Sequence, residues 1–150
     1  MSAAQIRLVD VVQQIAAVLE ETRLPPHLLC IELTESLLAD NAEGRVRTVL
    51  KALKGLGVTL ALDDFGTGYS SLAYLKRLPL DQLKIDQGFV RDILTDTNDA
   101  AIAKMIVSLA EAMGLTVIAE GVETEAQRGF LALQGCRAYQ GYLFSHPLPM

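Results

Sequence analysis

A chain of 150 residues, 51% hydrophobic and 21% charged, is long enough for a sizeable core and is expected to form a single domain over residues 1–150. Its net charge of −5 argues against a surface that tracks a nucleic-acid polymer, and no apolar stretch approaches the ~20 residues that cross a bilayer. No secretory signal is read at the N-terminus, so a cytoplasmic location is expected, and Cys30 and Cys136, without metal-ligand spacing, read as buried free thiols.

Along the chain, helical and strand-like periodicities alternate with short connections. Ser2 to about Glu21 is amphipathic, with Val12, Ile15, Ala16 and Leu19 on one stripe, and Pro25-Pro26 ends it. Leu28 to Leu33 reads as a strand. Ala42 to Lys54 reads as a helix carrying Val46, Val49, Leu50 and Leu53 inward. Val58 to Leu62 is a second strand, followed by Asp63-Asp64, a glycine-punctuated loop and a short helix through Leu72 and Leu75. Gln82 to Asp86 is the third strand. Asn98 or Asp99 is positioned to cap a long helix whose inward face is read as Ile102, Met105, Ile106, Leu109 and Met113. Leu115 to Ala119 is the fourth strand, Thr124 and Gln127 have capping-box spacing, and Arg137 to Leu143 is the fifth strand.

Strands separated by helical segments imply an α/β fold with about five parallel strands. Two architectures satisfy that pattern: a complete doubly wound sheet, or part of a TIM-like (β/α) barrel, which needs ~250 residues when whole. Both place ligands at the carboxyl ends of the strands. In this chain those ends carry charges: Glu32 in the first strand with Glu35 just beyond, Asp63 and Asp64 at the second, Lys84 and Asp86 at the third, Glu120 and Glu123 at the fourth.

Carboxylates gathered from several strands repel one another by ~4 kcal/mol per pair at 4 Å in an effective dielectric near 20. They stay ionised together only if protons or cations compensate them. Hard oxygen donors favour Mg²⁺ or Mn²⁺, and neither histidine nor cysteine lies at these strand ends. Lys84, between Leu83 and Ile85, is either an edge-strand lysine reaching solvent or a partner of the acids that holds a water or a phosphate oxygen. Asp86 either shares that role or starts the next turn. Glu123 favours the N-terminus of the following helix, and Gln140 can meet a ligand. His27 and His146 read as loop residues.

Five segments together resemble the EAL-type cyclic-di-GMP phosphodiesterase family. They are Ile31-Glu32-Leu33-Thr34-Glu35-Ser36, Leu62-Asp63-Asp64-Phe65-Gly66-Thr67-Gly68-Tyr69-Ser70-Ser71, Leu83-Lys84-Ile85-Asp86, Ala119-Glu120-Gly121-Val122-Glu123-Thr124 and Gln140-Gly141-Tyr142-Leu143-Phe144. The resemblance implies a TIM-like barrel and a two-metal site that hydrolyses one phosphodiester of cyclic di-GMP to the linear dinucleotide pGpG. It implies Glu32, Asp63, Asp64 and Glu120 as metal ligands for Mg²⁺ or Mn²⁺. Lys84 and Glu120 would be catalytic: the first helps position the attacking water, and the second contacts the metal-bound water or acts as general base. Glu123 and Gln140 would complete the polar shell, and Glu35 would brace the glycine loop. A homodimer through the loop and helix after Asp64 is also implied.

The Glu-(Ala/Val)-Leu-x-Arg signature that names the family does not occur in these residues, nor does the asparagine that ordinarily precedes the segment matching Ser2. The expectation is therefore a C-terminal portion of the barrel with part of the metal shell, inactive or very weak as an isolated chain. Two other readings stand beside it. One is a degenerate, non-catalytic module that binds cyclic di-GMP or a partner protein. The other is a phosphoacceptor receiver-like domain, which ordinarily places its acid pair after the first strand; here one strand precedes Asp63-Asp64.

Overall fold

The computed structural model describes residues 11–35, 43–68 and 72–146. The start of the first expected helix, Ser2 to Asp10, lies outside those residues. The described chain is α/β, with five strands alternating with helices. It divides into two compact units, Met1–Leu62 with Gly68–Asp81, and Asp63–Thr67 with Gln82–Met150.

In the first unit, α1 (Val11–Thr22) is followed by a 3-10 turn at Pro26–Leu28 and by β1 (Cys30–Thr34). Pro25 and Pro26 stop α1 and then start the turn, so β1 begins two residues later than the apolar run suggested. α2 (Glu43–Gly55) buries Val46, Leu50 and Leu53 at the expected helical spacing. β2 spans Thr59–Phe65, of which Asp63 onward belongs to the second unit, and α3 (Leu72–Leu75) buries Tyr74 and Leu75. Cys30 is exposed, contrary to the buried reading, because its side chain alternates with that of the half-buried Ile31.

The second unit contains β3 (Gln82–Ile85), α4 (Gln87–Arg91), α5 (Thr97–Met113), β4 (Thr116–Ala119), α6 (Glu125–Leu133) and β5 (Ala138–Tyr139). β3 pairs in parallel with β4, Gln82 opposite Thr116 through Ile85 opposite Ala119. β5 adds in parallel, Ile118 opposite Ala138 and Ala119 opposite Tyr139. One face of this ladder carries Leu83, Ile85, Val117 and Ala119, all buried, with α5 packed on β3 and β4.

Three details of this unit differ from the sequence reading. The cap of α5 is Asp96, whose carboxylate accepts from the N–H of Asn98 and Asp99, so the helix starts earlier than expected. Its buried stripe is Ala103, Ile106, Val107 and Ala110, and Met105 is exposed. Size misled the reading: alanines on the inner face let the helix backbone approach the sheet, and the longer chains sit at the flanks. Finally, β5 ends at Tyr139, and the apolar residues beyond it do not extend the strand. Val122 N–H donates to Gln140 O and Leu143 N–H to Val122 O, each at 3.0 Å, and the chain turns as Phe144 N–H reaches back to Gly141 O.

Gly141, with φ of 152°, lies so close to the Val122 backbone that a Cβ would occupy the same space. Gly141→Ala is therefore expected to destabilise the protein by about 2 kcal/mol, a fall in Tm of roughly 4–8 °C. Thermal denaturation checks it; an unchanged Tm would show that the turn does not depend on this contact.

Candidate metal centre and adjoining cleft

All the groups of the centre described next belong to the second unit. In parallel strands, paired residues point to the same face and successive residues to opposite faces. Lys84 is level with Ile118, on the face opposite Leu83 and Ile85. The next positions on that face lie one step past the paired residues Ile85, Ala119 and Tyr139: they are Asp86, Glu120 and Gln140. Parallel register thus delivers three polar side chains to one level of one edge. Backbone bonds continue the ladder there, from Glu120 N–H to Ile85 O at 3.1 Å and from Gln140 N–H to Ala119 O at 2.9 Å.

Asp63 and Asp64 are neighbours, and a regular strand would send their side chains to opposite faces. Asp64 instead has φ of 54°, left-handed backbone that aspartate tolerates better than most residues. The kink brings both carboxylates together: Asp63, Asp64 and Glu120 each offer an oxygen within 4.8 Å of the others. Gly66 follows with φ of 101°, and a Cβ there would come within 3.0 Å of the Phe89 ring, so the loop turns tightly against α4.

Lys84 lies between these acids. Its side chain is 5% exposed, and its Nζ is 3.2 Å from Asp63 Oδ1 and 2.5 Å from Glu120 Oε1. Gln140 Nε2 donates to the same Glu120 Oε1 at 2.8 Å. Of the two readings of Lys84, the structure shows the partner of acids. Asp86 has two functions: its Oδ1 accepts from Gly88 N–H at 2.7 Å, capping α4, and its carboxyl hydrogen-bonds Asp64.

The Asp64 carboxyl is held above its ordinary value of 3.8, first by burial, then by the charges of Asp63 and Asp86 and the Asp86 hydrogen bond; Lys84 opposes them. One lysine thus stands against three clustered carboxylates with a fourth beside them, and after burial it is the charges of Asp63 and Asp86 that raise Asp64. Three hard oxygen donors that share a single lysine fit a divalent cation.

Beside the cluster opens a cleft of about 470 Å³ lined by Gln87, Glu120, Glu123, Gln140, Tyr142 and His146 among others. Glu123 is exposed there. Tyr142 and His146 face each other with ring centroids 4.1 Å apart. In the first unit, Glu32 is exposed on β1, while Glu35 is buried and accepts from Gly68 N–H at 3.0 Å. Sequence reasoning did not single out Gln87 or the pairing of His146 with Tyr142. The i, i+4 spacing of the two rings was a visible signal; for Gln87, only its position after Lys84-Ile85-Asp86 was.

Comparison with known proteins identifies the family. Residues 1–147 match the family model described as EAL domain, and the chain belongs to that family. It is 44% identical over 149 residues to the bifunctional diguanylate cyclase/cyclic di-GMP phosphodiesterase MucR of Pseudomonas aeruginosa, covering 99% of this chain and 22% of that protein. It is 45% identical over 148 residues to the cyclic di-GMP phosphodiesterase NbdA of the same organism, covering 99% of this chain and 19% of that one. The chain thus spans about a fifth of the length of these curated relatives.

Among solved structures, the MucR phosphodiesterase in complex with c-di-GMP aligns with a TM-score of 0.94 at 44% identity, covering 99% of this chain and 60% of that one. A manganese/c-di-GMP complex of Klebsiella pneumoniae BlrP1 aligns with a TM-score of 0.88 at 38% identity, covering 98% and 38%. The expected partial TIM-like α/β barrel agrees with these likenesses, and the receiver-like alternative falls away. No helix among the described residues is long and apolar enough to cross a membrane.

Two outcomes follow from the electrostatics. Lys84→Met leaves Asp63 and Glu120 without their shared cation, a loss of about 3–5 kcal/mol in the metal-free protein. Differential scanning calorimetry should show that loss partly recovered by millimolar Mn²⁺; an unchanged Tm would contradict the role given to Lys84.

The second concerns pH. A carboxyl raised on folding binds its proton more tightly in the native state, so stability falls as pH rises from 3.8 through the raised value. Asp64→Asn should remove that part of the slope without metal, and lessen the gain in Tm that Mn²⁺ confers. Parallel slopes in the two proteins would refute the assignment.

Proposed function

We propose that this chain serves in the metal-dependent hydrolysis of cyclic di-GMP to pGpG, as the C-terminal portion of an EAL-type barrel. The observation that carries the proposal is the cluster of Asp63, Asp64 and Glu120 around Lys84. The kinship with named cyclic di-GMP phosphodiesterases supports it.

Asp63, Asp64 and Glu120 would hold divalent cations, Mg²⁺ or Mn²⁺; a ligand role for Glu32 rests on the family resemblance alone. Bound there, the cations supply Lewis-acid polarisation of the scissile phosphate and a lowered pKa for the attacking water. The chain's own residues do the rest. Lys84, fixed by two carboxylates, holds the attacking water by donation and limits repulsion within the cluster. Glu120 would accept the water proton as the new P–O bond forms and the opposite one breaks, and the released ribose oxygen takes up a proton from solvent. Gln140, donating to Glu120 Oε1, fixes the orientation of that base. Glu123 lines the cleft beside Glu120, where the remainder of the dinucleotide would lie. Glu35, through its bond to Gly68, would brace the glycine loop. We place the activity in a cytoplasmic homodimer joined through the loop and helix after Asp64.

The test is nucleotide chromatography of cyclic di-GMP incubated with the full-length protein and Mn²⁺ or Mg²⁺. Turnover to pGpG is expected, abolished by chelator and reduced about 10²–10⁴-fold by Glu120→Gln. For the 150-residue chain alone, weak turnover or none is expected. Tight binding of the dinucleotide by the full-length protein without metal and without turnover would favour the degenerate binding module. Turnover that survives both chelation and Glu120→Gln would overturn the metal reading.

A further inference from the structure

Gln127, buried at 6% exposure, extends beyond its own helix. Its Oε1 accepts from the N–H of Glu123 and of Thr124, each at 2.9 Å. Its Nε2 donates to Val90 O at 3.2 Å and to Arg91 O at 3.3 Å, at the C-terminal end of α4. A capping box needs only the bond to Thr124 N–H and the reciprocal bond from Gln127 N–H to Thr124 Oγ1. The two bonds to α4 are additional, and they span 36 and 37 residues of sequence.

The two segments so joined both line one cleft. α4 begins with Gln87, and the loop after β4 carries Glu120, Gly121 and Glu123. They touch at Gly121, where φ is 66° and a Cβ would come within 2.7 Å of Gln87 Cβ. One end of the contact is therefore set by a glycine and the other by the Gln127 amide. A buried amide with all its hydrogen-bonding groups satisfied holds a position that an apolar side chain of the same size would leave free to slide.

We infer that Gln127 is a positioning residue for substrate binding: its amide fixes the relative placement of Gln87 and Glu123 in the lining of the cleft, and so the fit of the dinucleotide beside Glu120. The inference rests on the hydrolase reading for its substrate, but the clamp is a property of the chain.

The experiment compares three variants of the full-length protein with the parent. Gln127→Glu keeps the acceptor for Glu123 and Thr124 but turns a second oxygen on the two carbonyls of α4. Gln127→Met removes both sets of bonds. Thr124→Ala weakens the cap and leaves the cross-link intact. Steady-state kinetics with Mn²⁺ should show KM for cyclic di-GMP raised about 10-fold or more in both Gln127 variants, with kcat within about 2-fold. Thr124→Ala should lower Tm and leave KM in place.

Amide hydrogen exchange gives a readout that needs no turnover. Residues 87–91 and 120–124 should exchange faster in the Gln127 variants than in Thr124→Ala. Equal effects of the cap and clamp variants on KM or exchange would overturn the inference, as would failure of both Gln127 variants to fold, which would make the residue purely structural. If the parent does not hydrolyse cyclic di-GMP, the hydrolase reading fails, and hydrogen exchange still decides the clamp.

Discussion

The site depends on concentrating negative charge at the carboxyl edge of a parallel ladder, with Lys84 the one buried cation among the described residues to offset it. Lys84 bridges Asp63 and Glu120 from within the sheet, and its 5% exposure leaves water little share in screening the group. A buried lysine is stabilised by such partners and costs several kcal/mol without them. The acids depend on it in return. Lys84 faces three clustered carboxylates, and Asp64, raised first by burial and then by the charges of Asp63 and Asp86, retains its proton more strongly than an ordinary aspartate. An arrangement that is electrostatically unfinished by itself is what a cation site requires.

Register and backbone strain divide the work of assembling that charge. Parallel pairing puts Asp86, Glu120 and Gln140 at a common level without any special conformation. The Asp63–Asp64 pair needs one, since adjacent residues of a strand diverge. Left-handed backbone at Asp64 costs of order 1 kcal/mol, and it brings two ligand atoms into the cluster from consecutive positions. Strain of this kind persists only where the surroundings enforce it, and the tight approach of Gly66 to Phe89 is one such constraint.

Much of this was legible in the sequence because it rests on local rules. Apolar runs ending in acids located the ends of β3 and β4, whereas β2 runs on through Asp63 and Asp64 to Phe65, and the Thr124–Gln127 spacing announced its capping box. What escaped depends on tertiary contact. The inner face of α5 is built from Ala103 and Ala110 rather than Met105, because closeness to the sheet mattered more than side-chain size. Tyr142 and Phe144 imitate a strand in hydropathy, but the chain has already turned at Gly141 against Val122. Asp86 was read as either sharing the role of Lys84 or starting the next turn; its carboxyl group caps α4 through Gly88 and also reaches Asp64. No local pattern could show that Gln127 also holds the end of α4.

The central claim is that Asp63, Asp64 and Glu120 surround a shared divalent cation beside Lys84. The most direct measurement is paramagnetic relaxation in NMR spectra of the isotope-labelled protein titrated with Mn²⁺. The account predicts saturable broadening centred on the amides of Asp63, Asp64, Ile85 and Glu120 and competed by Mg²⁺. Broadening that does not saturate, or that centres on other acidic residues such as Glu111 and Glu125, would contradict it.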